Sequence, residues 1–227
     1  MNETVHSKPK NTGAKPRAGK EATRTNDPAR TMANILEVAL AEFAEKGLAG
    51  ARIDEIAAAT QTSKRMIYYY FASKEGLYLA VLEESYRRMR AIESQLHLDD
   101  LPPVTALRRL VEFTFDHHYG NENYIRLVVS ENMNHGQFLA QSKSIQALNV
   151  PAISSIERLY RRGVEEGIFR PGLDPIDIHA SISALTFFNV SNRYTFGLIF
   201  KRDMTDPKVL DQRRANVVDM VLRFVRV

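Results

Sequence analysis

Residues 53–71 carry the densest run of side chains suited to recognising another molecule. They read as two short helical stretches joined by a tight turn at Gln61. Ile53, Ile56, Ala57 and Ile67 have the spacing to pack together beneath a preceding helix, and the small Ala57 lets two helices cross closely. That leaves Ser63, Lys64, Arg65, Met66, Tyr69 and Tyr70 on or near an outward face. A helix-turn-helix of this shape lays its second helix in the major groove, with the N-terminal residues at the base edges. Lys and Arg donate to guanine O6 and N7, and a methyl or aromatic group packs on thymine. The hydroxyls of Thr62 and Ser63, together with Lys74, suit phosphates. The same residues read equally well as an ordinary helical hairpin with a solvated charged face, because the pattern is short.

The elements that must position this segment are helical. Three starts use one device, Asp followed by Pro, at Asp27-Pro28, Asp174-Pro175 and Asp206-Pro207. The Asp oxygen accepts otherwise unpaired backbone N–H groups, and Pro loses no bond at the first helical position. From Asp27 the residues Ile35, Leu36, Ala39, Leu40 and Phe43 follow helical spacing until Gly47. The spacing predicts helices over 53–60, 63–71, 74–95, 104–118, 122–134, 138–148, 151–166, 175–197 and 207–225, with Pro151 as a break. No alternating strand pattern and no internal repeat is present. The fold class expected is all-α, an N-terminal three-helix helix-turn-helix domain followed by a helical bundle. The division expected is a basic tail over 1–27, a helix-turn-helix domain over 28–73, and a bundle over 74–227.

Composition removes several chemistries. The chain has 227 residues and no cysteine, so disulfides, thiolate nucleophiles and Cys-ligated metal sites are excluded. The net charge is +4, and residues 1–27 hold six basic side chains against three acidic ones. That tail has too few large apolar residues to order itself. It reads as a solvated leader or as an arm that tracks phosphates. Gly13 to Glu21 imitates a phosphate loop, but five residues separate its glycines where four are needed, and Glu21 stands where a hydroxyl should be. No apolar run is long enough to span a membrane. The N-terminus lacks the apolar stretch of a secretory signal, so a cytoplasmic location is expected. A single Glu-x-x-His, Glu3 to His6, lies in the tail where a di-iron bundle needs two on facing helices, and His-Glu-x-x-His and Gly-x-Ser-x-Gly are absent, so no enzyme and no cofactor is expected. A metal site from His117, His118, His135 and His179 lacks any fixed spacing.

The run from Ile53 to Leu82 resembles the DNA-binding domain of the TetR family of repressors. The residues that carry the resemblance are Ile56-Ala57, Thr62-Ser63, Ile67-Tyr68, Tyr70-Phe71, Ser73-Lys74-Glu75 and Leu77, with Ala39, Phe43 and Gly47 in the preceding helix. The resemblance implies a homodimer whose two recognition helices read a palindromic operator on double-stranded DNA. It also implies a small-molecule effector in the C-terminal domain that releases the DNA. By position it puts Lys64, Arg65 and Met66 on bases, and Tyr68, Tyr69, Tyr70 and Lys74 on thymine methyls or phosphates. Tyr68 has a rival role, packing against the first helix. Two positions depart from the family pattern. Gln61 stands where Gly is usual, which puts a non-glycine residue in a less favourable backbone region. Arg52 stands where a Thr cap is usual, and would lie beside a phosphate at that helix start.

The resemblance places the effector pocket after residue 80 and the dimer contact on the last two long helices. Ile178, Ile182, Leu185, Phe188 and Tyr194 are spaced for burial, as are Val217, Val218, Val221, Leu222 and Val225. Polar residues within apolar helices are the pocket candidates: His117, Asn132, His135, Asn189, Asn192 and Arg193, with Phe113, Tyr124 and Phe188 as walls. Each also reads as a satisfied core or surface group. Arg193 suits a carboxylate ligand, or equally a structural acid such as Glu131. The aromatic-rich run Tyr69–Tyr78 is similar to family members that control the catabolism of pyrimidines and related nitrogen heterocycles, which points to a small aromatic or heteroaromatic acid as effector. The alternatives are a metal-sensing regulator and a helical adaptor that binds protein only.

Overall fold

A computed structural model describes Met1 and residues 27–227, so the phosphate-loop imitation and the expected role of the basic tail lie outside the described residues. Ten α-helices follow in order: α1 Pro28–Gly50, α2 Ile53–Ala59, α3 Lys64–Phe71, α4 Lys74–Glu93, α5 Pro103–Gly120, α6 Glu122–Met133, α7 Ile145–Glu165, α8 Pro175–Ser191, α9 Arg193–Phe200 and α10 Pro207–Val225. Among the described residues the only extended pairing is one isolated bridge, Phe169 to Arg226.

All three Asp-Pro starts cap as expected. Asp27 accepts from the N–H groups of Ala29 and Arg30, Asp174 from that of Ile176, and Asp206 from that of Lys208. α1 breaks its helical geometry at Gly47, whose φ of 65° and ψ of 175° favour glycine. At Gly76 a β-carbon would stand 2.1 Å from the Phe71 carbonyl oxygen, so glycine is what lets the start of α4 approach the end of α3.

Three boundaries differ from the sequence expectation. The helix expected from 138 starts only at Ile145, with a short 3-10 turn over Leu139–Gln141 before it. Pro151 does not break the chain: α7 runs through it, and only one backbone bond is lost. The turn before Pro151 is held instead by side chains. Ser142 Oγ accepts from the Ile145 N–H at 3.1 Å, and Asn149 Nδ2 donates to the Ile145 carbonyl at 2.7 Å. Conversely, the helix expected over 175–197 ends at Asn192, where φ is −111° and ψ is 3°, and α9 starts afresh.

Two large apolar cores result. The first joins Ile35, Ala39 and Phe43 of α1 with Ile53, Ile56, Ala57 and Ile67, and with Leu77, Tyr78, Val81 and Leu82 of α4. It also takes in Leu127 of α6 and Ile145 of α7. The second joins α5, α7, α8 and α10 through residues such as Leu110, Val111, Ile156, Leu159, Ile178, Ile182, Val217 and Val221. The first half of α4 packs in the first core, while Met89 near its end packs with Tyr124, Ile125 and Val190. This helix therefore mechanically links the helix-turn-helix to the bundle. Tyr194 and Phe188, spaced for burial in sequence, are exposed at 61% and 41%. The break at Asn192 rotates Tyr194 off the buried stripe of α8.

Candidate nucleic-acid interface and effector cavity

The helix-turn-helix is built by its apolar side. Ile53, Ile56, Ala57 and Ile67 are all buried, as their spacing demands. The turn closes with the Thr62 N–H donating to the Ala57 carbonyl at 2.9 Å. Gln61 has φ 53°, so the departure from glycine does place a side chain in the left-handed region. Ser63 caps α3, its hydroxyl accepting from the Met66 N–H at 3.1 Å. Packing Ile67 inward points the start of α3 outward. Ser63, Lys64, Arg65 and Tyr69 are exposed, Thr62, Met66 and Tyr70 half-buried. Tyr68 is 45% exposed, so it does not take the packing role. Tyr70 meets the rings of Tyr69 and Phe71 edge-on, which fixes this aromatic group on the surface.

A charge network flanks the start of α2. Lys64 Nζ lies 3.1 Å from Asp54, and this contact holds the Asp54 carboxyl below the usual carboxylate range, with its own backbone N–H and Arg52 adding to it. Lys46 pairs with Glu55 and Glu42, which raises the lysine. Arg52 makes no side-chain cap on α2 and reaches Asp54 instead, at 3.4 Å. Exposed pairs of this kind contribute little to stability, so Lys64 and Arg52 exchange partners at little cost. Lys74 departs from its expected phosphate role. Its ammonium donates to the carbonyls of Ala51 at 2.8 Å and Ala49 at 3.2 Å, tying α4 to the end of α1.

The nine effector candidates do not form one site. His117, Tyr124 and Phe113 do come together: the His117 ring lies 5.6 Å from Phe113 and 6.0 Å from Tyr124, and Tyr86 closes the group 5.7 Å from Tyr124. Beside them the buried His118 has Nδ1 2.9 Å from Thr186 Oγ1. Burial, reinforced by His117, His179 and Arg90, pushes His118 down to about 4. Asn189 and Phe188 lie apart on α8. Asn189 is buried and accepts from Arg213 Nε at 2.9 Å, in a groove toward α10. Asn132 is exposed and bonds back to the Val128 carbonyl, while His135 is exposed in a turn at φ 56°. Asn192 donates to Ser191 Oγ at the end of α8. Arg193 pairs with Glu122 rather than Glu131, whose Oε1 instead accepts the N–H groups of Phe138 and Leu139. Among the described residues no three His, Asp or Glu side chains assemble as a metal-holding group.

A cavity of about 640 Å³ opens between the end of α4, the turns after it, and α7. Leu98, Ile156, Ala152 and Leu148 supply apolar wall. Arg90 and Glu93 supply a buried ion pair, each side chain only 11% exposed. Arg90 Nε also donates to Asn149 Oδ1 at 2.9 Å. Sequence reasoning missed this pair. The signal was there: Tyr86, Arg90 and Glu93 recur at helical spacing beside Met89, so two opposite charges sit on the buried side of α4.

Comparison with known proteins agrees with this architecture. Residues 35–81 match the family described as bacterial regulatory proteins, tetR family, and residues 103–221 match the tetracyclin repressor-like C-terminal domain. The HTH-type transcriptional repressor NicS of Pseudomonas putida is 31% identical over 207 residues, covering 91% of this chain and 98% of NicS. The HTH-type transcriptional regulator RutR of Escherichia coli is 33% identical over 82 residues, which span only 36% of this chain and 38% of RutR. The crystal structure of the regulator SCO4942 from Streptomyces coelicolor superposes with a TM-score of 0.64 at 28% identity, covering 86% of this chain and 98% of that one. An exposed helix-turn-helix on a helical body, matched along nearly its whole length to a repressor, makes this chain a member of the TetR family, a DNA-binding transcriptional repressor with a ligand-binding C-terminal domain and not an enzyme.

Proposed function

We propose that the protein acts in the cytoplasm as a homodimer that holds a palindromic operator and leaves it when a small effector binds. The observation that carries this reading is the start of α3, where Lys64 and Arg65 stand exposed at the end of a recognition helix pinned by Ile67. Lys64, Arg65 and Met66 read bases. Ser63, Thr62, Arg52, Tyr68, Tyr69 and Tyr70 contact phosphates or thymine methyls. The head comprises residues 28–73, and the effector and dimer contacts fall within 74–227.

The dimer surface is the outward apolar side of α8, α9 and α10. Phe188, Leu198, Ile199, Phe200 and Met220 are exposed there, and an apolar patch on a monomer marks an interaction site. The long α8 and α10, with the short α9 between them, suit a symmetric contact. The effector occupies the cavity between α4 and α7, where an aromatic or heteroaromatic acid competes with Glu93 for the N–H donors of Arg90. α4 connects that wall to the head, so an effector that prefers one placement of α4 shifts the population away from the DNA-binding form.

Selection of binding sites from random double-stranded DNA at moderate salt tests the reading. The expected product is a palindrome, with the double variant Lys64→Ala/Arg65→Ala losing the motif while remaining dimeric. Uniform, salt-sensitive binding with no motif would refute it, and a protein-only adaptor would show no response to either substitution.

A further inference from the structure

A second cavity lies where the head meets the bundle. It measures about 380 Å³, near the lower end of the roughly 300–1,000 Å³ typical of small-molecule sites. Its floor is Phe43 of α1, Ile125 of α6 and Val190 of α8, all nearly fully buried. Two side chains of opposite charge border it, Glu122 and Arg126. Both oxygens of Glu122 are occupied: Tyr194 Oη donates to Oε1 at 3.0 Å, and Arg193 pairs with Oε2. Arg126 is in a different situation. Its Nε donates to the Ala44 carbonyl at 2.8 Å and its Nη2 to the Glu45 carbonyl at 3.4 Å, both neutral acceptors. Among the described residues no carboxylate pairs with it.

We infer that this junction cavity is a second ligand site, for a small amphipathic carboxylate whose charge meets Arg126 and whose apolar part rests on Phe43, Ile125 and Val190. The selectivity follows from the rim. A ligand cation finds Glu122 already neutralised by two donors, whereas a ligand anion finds a guanidinium held only by carbonyls. Occupancy acts on the head because the same Arg126 contacts bind α6 to the turn of α1 just before Gly47. Gly47, where α1 departs from helical geometry, lies on the cavity wall, and no atom lies within 4 Å of the place a β-carbon would take. A ligand wedged between α1 and α6 therefore displaces the head about Gly47. This regulatory half rests on the repressor reading, whereas the binding half does not.

The test uses the full-length protein with hexanoate as probe, and hexylamine and hexanol as controls, read by saturation-transfer NMR. Hexanoate is expected to bind saturably in the millimolar range, at least tenfold more tightly than either control. Arg126→Gln is expected to weaken it about tenfold, and Val129→Trp, which fills the cavity mouth, to abolish it. Arg158→Ala, on the rim of the larger α4–α7 cavity, is expected to change it less than twofold. Equal binding of the three probes, unchanged binding in Arg126→Gln, or loss in Arg158→Ala would each overturn the site. So would no saturable binding up to tens of millimolar. Circular dichroism checks that Val129→Trp folds, and Arg126→Gln keeps the inference falsifiable if it does not. Hexanoate that binds without lowering affinity for the selected DNA would overturn the regulatory half alone.

Discussion

The Arg90–Glu93 pair permits a prediction that separates stability from effector response. Each side chain is 11% exposed, and Arg90 is also the donor to Asn149. Removing one member of a buried pair strands the other, a loss of about 3–5 kcal/mol. Arg90→Met should therefore destabilise by that amount, since it leaves the Glu93 carboxylate and the Asn149 carbonyl oxygen without their partner. For a chain of this size each kcal/mol moves Tm by about 2–4 °C, so the expected fall is roughly 6–20 °C. The double variant Arg90→Met/Glu93→Leu removes both charges, and replacing a buried pair with apolar residues is often neutral or stabilising. It should recover most of the lost Tm. Its DNA affinity should be that of the parent, because α3 is untouched. Its DNA release by a panel of aromatic and heteroaromatic acids should be lost. The assays are thermal unfolding at fixed protein concentration and DNA binding by anisotropy with and without the acids. If the single variant unfolds within 2 °C of the parent, the pair is not desolvated as described. If the double variant still responds to an acid that releases the parent, the effector does not use Arg90.

Gln61→Gly should stabilise the protein. A left-handed non-glycine residue costs about 1–2 kcal/mol and glycine returns about 0.4–1 kcal/mol of that in unfolded-chain entropy, so Tm should rise by up to about 6 °C in calorimetry; a fall would show that the Gln61 side chain holds the turn. Arg65→Ala should relax one position of the selected motif, at about 1–3 kcal/mol of discrimination, and an unchanged motif would remove Arg65 from base reading. Lys74→Met should lower Tm but leave the salt dependence of DNA binding unchanged, because its ammonium is spent on the Ala49 and Ala51 carbonyls; a slope reduced by about one would restore it to a phosphate. Stability should be full above about pH 6.5 and decline as pH falls toward 4, since His118 is held neutral in the fold while the unfolded chain takes up the proton. His118→Asn should make that decline shallower in urea titrations run across the window, the remainder coming from His179 and His117, which burial also holds low.

What the chain reveals before folding is governed by how local the physics is. The Asp-Pro caps and the buried positions Ile53, Ile56, Ala57 and Ile67 depend on neighbours within one turn. Each appears in the structure where spacing places it. The strained Gln61 was legible for the same reason. Pro151 was misread because a proline's single missing bond was weighed without Ser142 and Asn149, which hold that turn from outside the backbone pattern. The effector candidates were misread for a deeper cause. A polar residue on an apolar helix signals burial, but burial is satisfied by whatever partner the tertiary fold brings, and here Arg213 takes Asn189 while Glu122 takes Arg193.

The same distinction explains why the coupling route was invisible in sequence. Its two clamps, Lys74 on the Ala49 and Ala51 carbonyls and Arg126 on the Ala44 and Glu45 carbonyls, both attach to backbone oxygens at the end of α1, on either side of Gly47. Backbone acceptors carry no side-chain identity, so no residue pattern announces them. Their placement nevertheless has a mechanical consequence. α4 lines the α4–α7 cavity at Arg90 and Glu93, while α6 borders the junction cavity at Glu122 and Arg126, and the two helices grip one kinked segment from two directions. A shift of either helix bears on the head through Gly47. Gly47→Ala, which disfavours the φ of 65° at that kink, should therefore weaken DNA binding and effector response together while leaving the α8 and α10 surface, and hence the dimer, intact. Sedimentation and anisotropy measured on one sample decide it: a variant that keeps parental DNA affinity and effector response would show that the head does not pivot there.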